Sequence, residues 1–439
     1  MKNWRDNFAA KLCSADDAVR KIRNGQRVLV GGVGIRPEEL VRAMIRNASS
    51  FRDVRIMHGL SSGGEDYCLP QYRENFLHES LFASKTTRKY IEDGSAKFYP
   101  NYFYELPHFF ERGIIPVDVF IFQATPPNRY GYCSTGTNAD FVLEGVAAAD
   151  LVIMQINDQI PWCSANECLV HVNAVDHIVY YSEALPTIPV PEPNEEEKII
   201  GEYCASLIHD RDTIQAGIGR IPNAVCQALE NKKDLGVHSE MISDGLMDLW
   251  KKGVITNRYK SFDPNVMVAS FAYGTKDLYR FIDHNPAVQL RAVRYTNEPT
   301  RIAKCANLCC IMTCIETDLM GQIVSGTSGL RQISGAGGQL DFMRGAGFAY
   351  DGNGRAIMAL TSTHVKNGKR VSRIKPFIED GSAVTVTRQD ADYFVTEYGI
   401  ARVMGKTLKD RAREMINIAH PDFRPELIET YERRFKQKF

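Results

Sequence analysis

Two stretches of the chain share the same order of apolar and polar positions. "RVLVGGVGIRPEELVRAM" (27–44) and "DTIQAGIGRIPNAVCQAL" (212–229) each begin with a short apolar run, continue through a glycine turn and end in a segment with helical spacing. A second apolar run follows each helix, "VRIMHG" at 54–59 and "LGVHSE" at 235–240. The pattern is typical of βαβ units and predicts two related, open α/β domains with mostly parallel sheets.

The two glycine turns also match position by position. Both are G-x-G-x-x-P, at 32–37 and 217–222, an offset of 185 residues that indicates a structural duplication. Between them, "PTIPVPEPNEEEK" (186–198) contains four prolines, which fix φ and remove backbone donors, so helix and sheet both stop there. The sequence therefore predicts an N-terminal domain over 1–188 and a C-terminal domain over 194–439.

Charge and apolar content exclude several classes of partner. The 439 residues contain 53 Lys+Arg and 53 Asp+Glu, so net charge gives no reason to expect a nucleic acid or an anionic membrane as partner. The first residues, "MKNWRDNFAAKL", are too polar for a signal peptide, and no apolar run is long enough to span a bilayer. We expect a cytoplasmic protein.

The 11 cysteines do not suggest a disulfide scaffold in a chain of this length, and no metal site is expected. The densest group has no CxxC pair and apolar neighbours, which favours core thiols in buried strands: Cys305, Cys309, Cys310 and Cys314. Cys163 and Cys168 are farther apart than zinc pairs and are interpreted the same way. Cys133 lies in a predicted loop and is the one candidate for a reactive thiol.

The second glycine turn allows two interpretations. Gly217 and Gly219 fit the first two positions of a dinucleotide fingerprint, and Glu240 lies near the distance of its ribose-binding acid. Pro222, however, occupies the place of the third glycine, which weakens an NAD(P)-linked oxidoreductase. The more general property remains that a glycine turn opening a helix offers backbone N–H groups to an anion or a developing oxyanion.

Two further positions are candidates for chemistry. Glu240 ends a predicted strand, where open α/β sheets bind ligands, although a solvated loop glutamate fits the same pattern. The loop "ISGAGGQLDF" (333–342) lies between strand-like "GQIVS" and helix-like "FMRGAGFA". Its three glycines allow close approach of the backbone, so we expect a second loop of backbone donors.

Taken together, several motifs resemble one family. They are "QAGIGRIPNAV", "HSEMISDGLMDL", "YTNEP", "CIETDLMGQIVS", "QISGAGGQLDFMRGA", "AHPDFRPEL" and, nearer the start, "ATPPNRYGYCSTG". The chain resembles the class I CoA-transferases, specifically the acetyl-CoA hydrolase/transferase group with its 4-hydroxybutyrate and butyryl-CoA:acetate CoA-transferases. The resemblance implies two CoA-transferase α/β domains with the active site in the cleft between them. It also implies a homodimer, acyl-CoA and small carboxylic acids as partners, and coenzyme A as substrate and product with no permanently bound cofactor.

The resemblance also assigns site residues. It makes Glu240 the catalytic nucleophile, which carries a glutamyl-CoA thioester in ping-pong catalysis, and Asn297 a supporting residue. Contacts with CoA and the reacting carbonyl are implied for Gln215, Gly217, Ile218, Gly219, Arg220, Ile221, Gly335, Gly337, Gly338, Gln339 and Lys366. For Lys366 a solvated loop lysine is an equal alternative.

The chain departs from the family pattern at several places. Arg36 and Arg220 stand where smaller residues are expected, and Trp162 in "NDQIPWCSANECLVH" is also unexpected. One hypothesis is that Arg36 or Arg220 binds a second carboxylate, as in succinate or itaconate, against the alternative of a structural arginine. An acyl-CoA hydrolase with the same glutamate and a non-catalytic CoA-binding protein also stay open.

Overall fold

The computed structural model describes residues 4–61 and 63–439, which form two compact units. One unit is the chain up to Ile188 together with Val268–Thr296, and the other is Pro189–Met267 together with Asn297–Phe439. The predicted C-terminal domain included 268–296, but contacts assign this segment to the first unit. The reason is local: the Ala139 N–H donates to the Ser270 carbonyl at 2.8 Å, and the Val293 N–H donates to the Asp140 carbonyl at 2.7 Å. The remaining domain bounds stay a prediction.

The first unit is built on a seven-stranded sheet in which every neighbouring pair is parallel. From edge to edge its strands are Ala96–Phe98, Phe76–Ser80, Val54–His58, Arg27–Val30, Val119–Ala124, Leu151–Ile156 and His177–Tyr180. Alternate residues of a strand belong to different apolar clusters, as Val119 and Phe120 do. The sheet is therefore buried on both faces, which explains its nearly continuous apolar strands.

Helices and short strands complete the first unit. The helices are Trp4–Asn7, Ala15–Val19, Glu38–Arg46, Arg88–Glu92, Leu106–Glu111, Val142–Ala148, Lys276–Ile282 and Val293–Thr296. The short strands are Tyr132–Ser134, Leu169–His171, Phe271–Ala272 and Val288–Leu290, while Met267–Ala269 begins on the last residue of the other unit.

The second unit contains a six-stranded sheet. Its order is Gly236–Val237, Thr213–Ala216, Leu308–Thr313, Arg355–Ala359, Tyr393–Thr396 and Gly399–Arg402. Only the last pair is antiparallel. The expectation of two open α/β units with mostly parallel sheets is confirmed.

Within the described part of the chain, the second unit also contains seven α-helices and eight short strands outside this sheet. Its helices are Glu195–Ser206, Arg220–Ala228, Asp244–Lys251, Pro299–Ile302, Gln339–Gly347, Leu408–Asn417 and Arg424–Phe435. Its short strands are Met241–Ile242, Glu316–Asp318, Ile323–Val324, Thr327–Ser328, Arg331–Gln332, Thr363–Lys366, Lys369–Ser372 and Ile374–Lys375.

The helix after the proline-rich segment begins with a capping box. Asn194 accepts the Glu197 N–H at 2.9 Å, and the Glu197 carboxylate accepts the Asn194 N–H at 2.8 Å. Both bonds satisfy backbone donors that have no partner inside the helix. The boundary between the units thus lies in the proline-rich segment, and "NEEEK" forms the start of the first helix of the second unit.

The two glycine turns have the same backbone feature. Gly34 has φ +77° and Gly219 has φ +122°, and these are equivalent positions of the repeat. Positive φ at that position favours glycine, which explains why both turns keep it. The prolines of the two turns differ in position: Pro37 precedes helix Glu38–Arg46, and Pro222 is the third residue of helix Arg220–Ala228.

The cysteines are mostly as predicted. Cys309 and Cys310 are buried in strand Leu308–Thr313; Cys305 and Cys314 are also buried but lie outside the strand. Cys133 is a correction: it is buried in strand Tyr132–Ser134 rather than in a loop, and burial raises the pKa of its thiol. A thiol of that kind is not reactive.

Within the described residues, the structure contains no helix with the length and apolar character that a bilayer span requires.

Candidate active site

Glu240 lies in a short connection beside the second glycine turn. The strand before it ends at Val237, three residues earlier than the sequence predicts. The His238 N–H then donates to the Ile214 carbonyl at 3.2 Å, and the Ser239 hydroxyl donates to the Ala216 carbonyl at 3.4 Å. The residue before Glu240 is thereby tied to the residue before Gly217.

Two other parts of the second unit hold the Glu240 carboxylate. The Asn297 side-chain amide donates to Glu240 Oε2 at 2.8 Å, and the same nitrogen lies 3.4 Å from Asp341 Oδ2. The Gly338 N–H also donates to the carboxylate. Because Asn297 and Asp341 are buried, the amide is held between two carboxylates and presents a fixed donor to Glu240.

Glu240 is half-buried, and its protonation is tuned by its surroundings. Burial raises the pKa of Glu240 to about 6, while the hydrogen bonds from Asn297 and Gly338 oppose this shift. Burial disfavours the charged form because it removes water, and donors favour it because they bind the anion. The carboxylate is therefore ionised at neutral pH but poorly solvated, which is the state that a nucleophile requires.

Gly338 belongs to the loop at 333–342 and contacts the Glu240 carboxylate. It precedes helix Gln339–Gly347, so the positive end of the helix dipole lies at Glu240. A Cβ at Gly338 would lie 2.1 Å from both Glu240 Oε2 and the Asn297 amide nitrogen. Only glycine fits between them, and Gly337 beside it has φ +53°. The expectation that this loop brings backbone donors to a site stays a prediction, which this geometry supports.

The glycine turn at 217–221 is more open. Ile218 and Arg220 are exposed, and Gly217 has open space where a Cβ would be. In the first turn of helix Arg220–Ala228, Pro222 has no N–H and the Asn223 N–H donates to the Gly219 carbonyl at 3.0 Å. The N–H groups of Arg220 and Ile221 have no partner inside the helix and are suited to binding an anion.

Each of the two glycine-rich motifs contains a buried glutamine. Gln215 is buried on strand Thr213–Ala216, and the Gln339 amide nitrogen donates to the Thr313 carbonyl at 2.8 Å. The side-chain carbonyl oxygens of both residues have no hydrogen-bond partner among the described residues. Such acceptors are satisfied when a ligand brings N–H donors.

The remaining predicted residues lie elsewhere. Arg36 is in the first unit, buried, ion-paired with Glu38 and donating to the Gly64 carbonyl at 2.8 Å. Lys366 is in an exposed hairpin, 3.9 Å from Glu379. The predicted contacts of Arg36 and Lys366 with substrate stay hypotheses.

Asp341 is the site residue that sequence reasoning did not select. It lies within "QISGAGGQLDFMRGA", two positions after Gln339, but nothing in the motif indicates a contact with Asn297, 44 residues earlier. The feature of the sequence that could have identified Asp341 is its position as the acidic residue in the first turn of the helix after the glycine loop.

Comparisons with known proteins identify the family of the chain. The model of the acetyl-CoA hydrolase/transferase N-terminal domain matches residues 1–189, and that of the C-terminal domain matches 274–431. A 4-hydroxybutyrate coenzyme A transferase of Clostridium kluyveri is 43% identical over 98% of this chain and 100% of its own. A butyryl-CoA:acetate CoA-transferase of Anaerostipes caccae is 34% identical over 98% of each chain. The crystal structure of RipA from Yersinia pestis superimposes with a TM-score of 0.92 at 31% identity, covering 99% of both chains.

Proposed function

The chain belongs to the acetyl-CoA hydrolase/transferase family, and on that premise we propose that it transfers coenzyme A from an acyl-CoA to a free carboxylic acid through a thioester on Glu240. One observation carries the proposal: a single half-buried carboxylate is held by the Asn297 amide and the Gly338 N–H at the start of a helix. The family membership predicted from the motifs is confirmed.

In the first step Glu240 attacks the acyl-CoA carbonyl. We assign the attack to Oε1, because the Asn297 amide binds Oε2. The C–S bond breaks, CoAS⁻ leaves, and an anhydride joins the acyl group to Glu240. A thioester is activated enough for a carboxylate nucleophile, and burial makes this carboxylate a stronger one.

In the second step CoAS⁻ attacks the glutamyl carbonyl of the anhydride. Negative charge develops on the glutamyl oxygen that Asn297 holds, with the Gly338 N–H beside it. The two donors thus act as an oxyanion hole that exists before the reaction starts. The donor acid leaves as a carboxylate, and the enzyme carries glutamyl-CoA.

The acceptor carboxylate then repeats both steps in reverse. It attacks the glutamyl thioester and releases CoAS⁻, which attacks the acyl side of the new anhydride. The products are a new acyl-CoA and free Glu240. Protons balance without an acid or a base, because each nucleophile and leaving group is an anion.

The glycine turn and the two buried glutamines fit parts of CoA. The open N–H groups at 217–221 suit its phosphates, and the carbonyls of Gln215 and Gln339 suit the amide N–H groups of its pantetheine arm. Binding energy from these remote contacts aligns the thioester with Glu240.

The acids that we propose first are 4-hydroxybutyrate, butyrate and acetate, which the names of the similar transferases contain. Succinate is proposed beside them, because two further relatives, 36% and 35% identical, are transferases named for succinyl-CoA, whereas itaconate has less support. Arg36 is already neutralised by Glu38, so a second carboxylate there would compete with an existing ion pair. Arg220 is exposed and remains the better candidate for that role.

Steady-state kinetics test the proposal. Purified protein is given butyryl-CoA with acetate, 4-hydroxybutyrate or succinate, and the new acyl-CoA is separated by chromatography. We expect parallel double-reciprocal lines, typical of ping-pong transfer, and loss of activity in Glu240→Ala. If free CoA forms at a rate independent of the acid, water resolves the intermediate and the protein is a hydrolase. Activity retained in Glu240→Ala contradicts both functions.

A further inference from the structure

A cavity of about 590 Å³ lies within the first unit, apart from the residues of the proposed function. Its walls come from residues that follow three neighbouring parallel strands, Val119–Ala124, Leu151–Ile156 and His177–Tyr180, and from helix Lys276–Ile282 with the two residues after it. Open parallel sheets bind ligands outside the carboxyl ends of their strands. The volume is also within the range of about 300–1,000 Å³ that is usual for small-molecule sites.

One wall is an aromatic plate formed by Trp162 and the largely exposed His284. The rings of Trp162 and His284 are stacked, with centroids 6.0 Å apart and planes 8° apart. Their backbones are tied: the Trp162 N–H donates to the Asp283 carboxylate at 2.7 Å, and the His284 N–H donates to the Trp162 carbonyl at 2.9 Å. A plate fixed in this way is suited to stacking against a flat aromatic ligand.

The cavity also contains a side-chain cation without a partner among the described residues. No hydrogen bond or ion pair links the Lys276 ammonium to any residue that the structure describes, and Arg280 pairs at the surface with Asp277 at 2.8 Å. An exposed pair of that kind contributes little. The lining also holds two carboxylates, which are hydrogen-bonded to uncharged donors: Asp283 accepts the Trp162 N–H, and Asp158 accepts hydroxyl groups of its neighbours. An anionic group of a ligand would give the Lys276 ammonium the partner that it lacks.

We propose that this cavity binds a nucleoside phosphate, with its base against the plate of Trp162 and His284 and its phosphate near Lys276 and Arg280. An uncharged apolar ligand would leave the cations unmatched, and a simple anion would leave the plate unused. The same chemistry belongs to a free nucleotide and to the nucleotide end of coenzyme A, so the experiment distinguishes these two sources.

The segment "NDQIPWCSANECLVH" supplies much of the lining. Five of its residues, 158–162, line the cavity. The proposed transfer reaction assigns no role to Trp162. A binding plate gives this residue one.

Titration calorimetry of the full-length protein with adenosine 5′-monophosphate tests the proposal. We expect saturable binding at one site, weakened about tenfold or more in Trp162→Ala by the loss of stacking. Lys276→Gln should weaken binding about fivefold, as loss of one partly exposed charge does. Lys97→Gln, which removes an exposed lysine of the same unit far outside the lining, should leave the affinity unchanged. Trp162→Phe keeps a ring and should retain most of the affinity, which separates stacking from misfolding.

The outcomes are distinct. Absence of binding at several millimolar nucleotide, or equal affinity in Trp162→Ala, Lys276→Gln and the unaltered protein, overturns the proposal. If binding behaves as expected, the KM for acyl-CoA identifies the source. A raised KM in Lys276→Gln means that the cavity holds the nucleotide end of CoA, and an unchanged KM means that it holds a free nucleotide.

Discussion

At the scale of single residues, the site depends on the Glu240 carboxylate, which is ionised at neutral pH although burial removes much of its water. Burial raises the pKa of Glu240 to about 6, and the two donors limit that shift without removing it. A group whose folded-state pKa is raised stabilises the fold fully below its unfolded pKa and loses that contribution as pH rises through its folded pKa. The protein therefore gives up stability at neutral pH to keep its nucleophile.

The first prediction concerns this loss of stability. Glu240→Gln cannot ionise, so at pH 8 it should be more stable than the unaltered protein by roughly 2 kcal/mol, as expected for a shift from about 4.5 to about 6. The difference should shrink between pH 6 and pH 4.5 and vanish below. Denaturant unfolding at several pH values measures it. A Glu240→Gln variant that is less stable at pH 8 contradicts the interpretation of the pKa.

The second prediction concerns Gly338. Gly338→Ala places a methyl group 2.1 Å from Glu240 Oε2 and the Asn297 nitrogen, so one of the partners must move. We expect kcat to fall about 100-fold or more, as on loss of an oxyanion donor. Gly347→Ala is the matched control on the same helix, because its Cβ would have only an ordinary contact, 3.6 Å from Met404. Equal activity of the two variants would show that Gly338 does not position the carboxylate.

At the scale of elements, helix Gln339–Gly347 connects the loop to the reacting group. Its first turn supplies Asp341, which lies 3.4 Å from the Asn297 amide and limits that amide to one orientation. Asp341 acts on Glu240 through the Asn297 amide, so it is a positioning residue. The helix thus acts on Glu240 twice, through its N-terminus and through Asn297.

The third prediction tests this positioning. Asp341→Asn should loosen Asn297 and lower kcat about tenfold, and it should shift the acidic limb of the kcat–pH profile upward, because a weaker donor raises the pKa of Glu240. Asp390→Asn is the control: it breaks the ion pair of Asp390 with Arg344 near the other end of the helix, at 3.1 Å. A lower kcat with an unmoved pH profile would indicate general damage to the helix instead.

The fourth prediction concerns the glycine turn before helix Arg220–Ala228. Gly219→Ala forces an L-residue to φ +122° and should destabilise the protein by roughly 1–3 kcal/mol while raising the KM for acyl-CoA. Gly217→Ala has open space and no positive φ, so its stability should change little. Melting temperatures of the two variants provide the comparison, and equal values contradict the argument from strain.

At the scale of the whole molecule, local signals were predictable and long-range contacts were not. The repeated glycine turns, the parallel sheets and Glu240 all follow from patterns within about 30 residues. The contact of Asp341 with Asn297 and the assignment of 268–296 to the first unit depend on distant parts of the chain. The burial of Cys133 was missed for the same reason: a loop-like sequence does not reveal what covers it. The homodimer and the identity of the acids stay predictions.

The measurement that tests the central claim most directly is the mass of the protein after incubation with butyryl-CoA alone. The account predicts an adduct of one CoA less one water, which peptide mapping places on Glu240 and which borohydride reduces to an alcohol. It predicts no adduct in Glu240→Gln. An adduct on another residue, or none with any of several acyl-CoA donors while transfer still proceeds, would contradict a glutamyl thioester at Glu240.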